Sequence, residues 1–258
     1  MANRPAADDI TEDAVLGGRL RLRQPRRGHR VGHDAILLAA ACPARAGDKV
    51  VDLGTGVGGA GLALAARVPD TTVTLVEIDR RLATLAGENA RLNRMEARVR
   101  AVALDVAAPA RAFAAAGLGA DSVARMLMNP PFNDPDRQQS SPDAARRLAH
   151  AAPRVLLIPW VKTAARLLRA RGTLTLIWRA DGLADVLAAF APVFGAVAVM
   201  PVYPAPDKPA IRILVTAVKA SRAPLALLPP LVLADVTGRP TAAADAVLRD
   251  GAALPGRS

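Results

Sequence analysis

Cysteine is all but absent from this chain. The single thiol, Cys42, excludes an intrachain disulfide and any cysteine-based zinc site. Histidine is scarce too, and His29, His33 and His150 stand without the spacing a metal site needs. Aromatic residues make up 3% against a hydrophobic share of 52%, so a sizeable core must be built mainly from Ala, Val and Leu. Uncharged apolar runs such as "AILLAAACPA" are too short to span a bilayer. The polar, acidic start "MANRPAADDITEDAV" is unlike a secretory leader. These absences point to a soluble cytoplasmic chain. Its 258 residues suffice for one large domain or two small ones.

What is abundant is arginine, which heavily outnumbers lysine and brings the formal net charge to +11. A GC-rich genome would raise both arginine and alanine, so charge placement matters more than the total. "GGRLRLRQPRRGHR" carries Arg19, Arg21, Arg23, Arg26, Arg27 and Arg30. As a strand, R-L-R-L-R sets three guanidiniums on one face and the leucines on the other. Such a row can bind phosphates bidentately, which points to nucleic acid. The alternative is an ordinary solvated strand face.

Along the chain, a short β segment at 18–24 precedes a helix in "HDAILLAAACP" that Pro43 stops. Strands and helices then alternate from "KVVDL" through "SVARMLM". A long polar loop is expected at 133–157, with "DAARRLAHAA" as a helix inside it. "WVKTAARLLRARG" reads as a helix with a glycine stop, and "TLTLIW" as a strand. "AVAVMPVY" and "AIRILVTAV" are successive strands, joined by the turn "PAPDKP" into an antiparallel hairpin near one edge. The expected fold is α/β: a doubly wound, mostly parallel Rossmann-like sheet closed by a C-terminal antiparallel hairpin strand, as in class I methyltransferases. The expected division is a mobile arm at 1–17, a catalytic domain at 18–220 and an extension at 221–258. The extension carries a capped helix starting at Thr241.

"VVDLGTGVGGAG" follows a strand and opens a helix. Gly54, Gly56 and Gly59 fit the dinucleotide fingerprint, which admits a nicotinamide cofactor. Asp52, just before the first glycine, tilts the choice. A carboxylate there suits the ammonium and sulfonium of S-adenosylmethionine (SAM) and repels a pyrophosphate. Glu77, ending the next strand, is set to accept from both ribose hydroxyls. Asp79 is its rival, or else a helix cap. Asp105, after the third strand, is placed for the adenine amino group, with Val106 against the ring. The other reading of Asp105 is a helix N-cap.

"NPPF" ends the fourth strand, on the side of an open α/β sheet where ligands bind. An exocyclic or amide NH2 is a poor nucleophile because its lone pair is delocalised. Two acceptors around it can localise that pair. The Asn129 side-chain oxygen is one, and the Pro130 carbonyl, fixed by its neighbours, is the other. Phe132 offers a face for a planar base or amide. Transfer then needs mainly orientation, not a strong base.

"DLGTGVGG", "VEID", "ALDV" and "NPPF", in this order, resemble the SAM-dependent amino-methyltransferases of the N-P-P-[YF] type. "RVGHDAILLAA" is similar to the segment preceding the glycine loop in bacterial tRNA adenine-N6 methyltransferases, which act beside the anticodon of a valine tRNA. The resemblance covers roughly residues 15 to 220. It implies cofactor contacts at Asp52, Gly54, Gly56, Glu77 and Asp105, with Asn129, Pro130 and Phe132 at the target amine. His33 and Asp34 would lie near the methionine end of the cofactor. His33 stands where threonine is familiar, and Phe132 where many relatives have tyrosine.

The leading expectation is an enzyme that methylates adenine N6 in tRNA. Arg19, Arg21, Arg23, Arg26 and Arg27, Lys208, and the loop residues Arg137, Arg146, Arg147 and Arg154 would hold phosphates. The same chemistry on a glutamine amide of a protein such as a release factor is the alternative. A nicotinamide-dependent dehydrogenase is disfavoured by Asp52 and by the lack of an acid/base pair. A non-catalytic RNA-binding relic is disfavoured by intact Asp52, Glu77 and Asn129.

Overall fold

The computed structural model describes residues 10–27, 30–131 and 157–256. A hairpin comes first: β1 (Ile10–Val15) pairs antiparallel with β2 (Leu20–Pro25) across a tight turn. Then follow α1 (His33–Ala41), β3 (Lys49–Leu53), α2 (Gly59–Arg67), β4 (Thr72–Glu77) and α3 (Arg80–Leu92). They are succeeded by β5 (Val99–Ala103), α4 (Ala110–Ala115), β6 (Val123–Met128), the helical residues 157–167 (α5) and β7 (Leu168–Arg179). The chain closes with α6 (Leu183–Phe190), β8 (Phe194–Tyr203), β9 (Arg212–Lys219), the two-residue strands β10 (Ala226–Leu227) and β11 (Leu231–Val232), and α7 (Ala242–Leu248).

The main sheet has the order β10-β8-β9-β7-β6-β3-β4-β5, with β11 also on β8. β3 to β7 are parallel, and β9 runs against both of its neighbours. Both faces are covered, so the strands read as continuous apolar runs rather than alternating ones. On one face Leu20 and Leu22 of the hairpin pack with the buried sides of α1, α2, α3 and α7. On the other, Phe113 of α4, Val161 and Leu167 of α5 and Phe190 of α6 cover Val51, Leu53 and Met126. The chain leaves β3 toward β4 on one side and returns to β6 on the other, which makes the carboxyl ends of β3 and β6 the switch point.

Two expectations change, and the structure adds detail to two more. Residues 10–15, expected in a mobile arm, form β1. The arginine strand needs that partner, because a lone strand leaves its backbone unpaired. "LLRARG" does not continue α5. The helix stops at 167, and Arg171 takes φ +65° in an irregularity that lets β7 start early beside β6. The expected antiparallel hairpin forms near one edge, with its second strand, β9, on the inner side between β7 and β8. The tail after Ser221 packs on the domain. Leu231 and Val247 are buried, the Leu254 N–H donates to the Ala40 carbonyl at 2.9 Å, and Thr241 caps α7 as expected. The expected loop helix "DAARRLAHAA", Phe132 and the loop arginines lie outside the described residues.

The hairpin docks through Asn89 of α3 and Asn93, the C-cap residue of that helix. Asn93 and Asn89 each exchange two hydrogen bonds, of 2.7–2.9 Å, with the backbones of Arg21 and Arg23. Four helical residues rise about 6 Å, close to the roughly 6.6 Å between alternate strand residues, so one helix face can imitate a neighbouring strand. Asn89, wholly buried, also donates to the Val57 carbonyl at 2.9 Å and so ties the hairpin to the glycine loop.

Candidate active site

Leu53 pairs with Met128 in register, so Gly54 and Asn129 leave the sheet side by side. The crevice between them is lined by the glycine loop, the acidic end of β4 and the turn after β6. The loop is held by carboxylates. The Thr55 hydroxyl and the Gly61 N–H both donate to Asp52 Oδ2, at 2.5 and 2.8 Å. The Gly56 N–H donates to Glu77 Oε2 at 2.8 Å, and the Asp79 N–H to Glu77 Oε1 at 3.0 Å. Burial pushes the Asp52 carboxyl up to about 6; the hydrogen bonds from Thr55 and Gly61 oppose this, and the nearby Glu77 charge adds to it. Asp79 is the N-cap of α3, accepting from the Arg81 and Leu82 N–H groups.

Gly54 has φ +71°, and a Cβ there would stand 2.2 Å from the Trp160 ring of α5. Nothing but glycine meets both demands. Asp105 is exposed, and its carboxylate accepts from the Ala107 N–H at 2.8 Å in a local turn. Helix α4 starts later, with Pro109 at its N-cap position and no side-chain cap, so the N-cap reading of Asp105 does not hold. Val106 is half-buried beside it, and Ile78, next to Glu77, is 64% exposed on the same edge.

Among the described residues, Asn129 Oδ1 is buried with no hydrogen-bond partner. Pro130 after it is buried and Pro131 exposed. A buried acceptor left unpaired costs about 1–3 kcal/mol, so the orphan calls for a reason.

Other expected residues are engaged elsewhere. Asp34, in the first turn of α1, pairs with Arg212 Nε of β9 at 2.8 Å. His33 is exposed at the start of α1, at a cleft of about 700 Å3 also lined by the hairpin turn and α7. The leucines and arginines of β2 alternate as expected, but Arg21 and Arg23 share one carboxylate, Glu12 across the hairpin. Arg19 donates to the Asp250 carbonyl at 2.6 Å, and Arg30 pairs with Asp13. Arg26 and Arg27 are exposed. Sequence reasoning missed Trp160, Asn89 and Arg212, none of which belongs to a local motif. Among the described residues, no helix is long and apolar enough to cross a membrane.

The pattern of the methyltransferase small domain matches residues 29–201, which takes in this whole crevice. The chain belongs to that family. A solved structure agrees with the fold. A predicted O-methyltransferase from Agrobacterium tumefaciens is 31% identical, with a TM-score of 0.74 over 87% of this chain and 99% of its own. Two curated relatives are named tRNA1(Val) (adenine(37)-N6)-methyltransferase. The one from Tolumonas auensis is 32% identical over 60% of this chain and 61% of its own, and that from Bacteroides thetaiotaomicron 30% over 59% and 60%. The match thus spans about three fifths of these curated relatives. The family's cofactor is SAM, and the residues present fit it. Gly56 has φ +59° with open space where a Cβ would stand, and the carboxylates of Glu77 and Asp52 lie at the loop, which suits a cationic ligand.

Proposed function

We propose that this family member transfers a methyl group from SAM to an exocyclic amino group, adenine N6 of a tRNA. The observation that carries the reading is the orphaned Asn129 Oδ1 beside Gly54. SAM supplies an electrophilic methyl group. Asn129 Oδ1 and the Pro130 carbonyl accept the two hydrogens of the target NH2 and turn its lone pair toward that methyl. Phe132 stacks on the base. Asp52 holds the glycine loop and, as an anion, favours the cationic end of the cofactor. Glu77 takes the ribose, Gly54 and Gly56 give it close backbone approach, and Asp105 and Val106 receive the adenine. Asp34, through its pair with Arg212, fixes the start of α1 at the methionine end.

The name of the Agrobacterium relative raises hydroxyl methylation. An amide oxygen cannot take the proton a hydroxyl must lose, whereas it suits an NH2 that keeps its protons until the methyl has moved. The curated relatives' names support adenine over a glutamine amide. The exposed arginines of the hairpin support RNA over protein, although Glu12 offsets part of their charge. The test is tritiated SAM with bulk tRNA from a strain lacking the gene, followed by digestion to nucleosides. Label in N6-methyladenosine is expected. Label absent from tRNA but present on a release-factor glutamine would overturn the RNA reading and leave the amine chemistry standing.

A further inference from the structure

Trp160 is the unexplained residue of the crevice. It sits in the first turn of the described part of α5, only half-buried, in a chain with just two tryptophans. The other, Trp178, is 1% exposed in β7, packed against Gly182. The ring of Trp160 lies on Gly54: a Cβ at that glycine would stand 2.2, 2.7 and 3.4 Å from three carbons of its six-membered ring. One turn on, the Thr163 hydroxyl donates to the Val106 carbonyl at 2.8 Å. Arg166 donates to the Ala108 carbonyl at 3.3 Å, and its guanidinium lies 5.0 Å from the centre of the Phe113 ring. Helix α5 is therefore latched along one face to the segment after β5, and that face brings an indole to the glycine loop. A core tryptophan would be covered. This one lies on the glycine loop, on a helix latched to the segment after β5, with part of its surface open.

We infer that Trp160 forms a wall of the cofactor cleft and packs against the adenosyl group of SAM between the glycine loop and the Asp105–Val106 segment. It is a positioning residue: it sets the width of the cleft and gives the flat ligand an aromatic surface, while the reacting atoms belong to Asn129 and Pro130. The inference rests on the SAM cofactor and not on the choice of tRNA as substrate.

The test is titration of the full chain with S-adenosylhomocysteine, following tryptophan emission and, separately, binding heat. Wild-type emission is expected to change on saturation. Trp160→Phe keeps Kd within about threefold, because a ring still fills the wall, but loses most of the emission change, since the remaining Trp178 is 1% exposed and packed against Gly182. Trp160→Ala weakens binding about tenfold or more. An emission change surviving largely intact in Trp160→Phe, or a wild-type Kd in a folded Trp160→Ala, overturns the inference. If Trp160→Ala does not fold, the Phe variant alone decides. Absence of binding heat in the wild type takes down the cofactor reading along with it.

Discussion

Asp52 and Glu77 stand a few residues from Asn129 in space, yet they are treated oppositely by the fold. Both carboxylates accept two hydrogen bonds from the loops they hold. Asn129 Oδ1 is buried and accepts none among the described residues. The partnered pair works for the protein first, shaping the loop while keeping acceptor capacity for a ligand. The orphan works for something that is not protein. Among the described residues, buried polar atoms of Arg67, Arg98, Arg166 and Thr175 also lack partners, so it is the place of the Asn129 orphan, beside Gly54 at the end of β6, that ties it to function. The comparison also separates the roles: damage to the carboxylates should be felt in cofactor binding, and damage to the orphan in transfer.

Asn129→Ala should break the second half alone. Transfer falls on the order of a hundredfold or more, while calorimetric affinity for S-adenosylhomocysteine stays within a factor of about two. Full activity in that variant would sink the assignment of Asn129. Glu77→Ala removes the acceptor of the Gly56 N–H and the proposed ribose contact together. Cofactor affinity should drop by about two orders of magnitude, with a lower melting temperature. Unchanged affinity would mean the ribose is held elsewhere.

Asp52→Asn should act through pH. The folded carboxyl titrates near 6, above its value in an unfolded chain. The stability linked to that difference is whole below about pH 4 and is lost as pH rises through the folded value, because the anion is buried. Cofactor affinity runs the other way, rising about tenfold from pH 5 to 7.5 as the anion forms beside a cationic ligand. In Asp52→Asn the affinity should be weak and flat over this range; a profile identical to the wild type would relieve Asp52 of the role. The smallest effect belongs to the arginines. Replacing Arg21 and Arg23 with glutamine should lower the salt slope of tRNA binding by less than two full phosphate contacts, since Glu12 already partners both. An unmoved slope would make the strand a solvated face.

Much of the crevice was legible in the sequence because it is built from contiguous motifs. A glycine loop, an acidic strand end and a proline turn each carry their geometry locally. The alternation of strands and helices supplied the sheet, and the leucine–arginine alternation supplied the faces of β2. What escaped depends on partners distant in the chain. Asp34 reads as a cofactor contact until Arg212 is seen beside it, 178 residues away. The arginine row reads as free charge until Glu12 lies across from it. Asn89 and Asn93 look like surface positions of a helix, and nothing local says that they stand in for a strand. "LLRARG" has good helix formers, and pairing with β6 overrides that propensity.

The most direct measurement is a crystal structure with S-adenosylhomocysteine and an adenine-bearing oligonucleotide. The expected result is a base whose N6 lies about 3 Å from both Asn129 Oδ1 and the Pro130 carbonyl oxygen, pointing at the sulfur. A structure with Asn129 Oδ1 paired to a protein N–H and the base amine elsewhere would contradict the account.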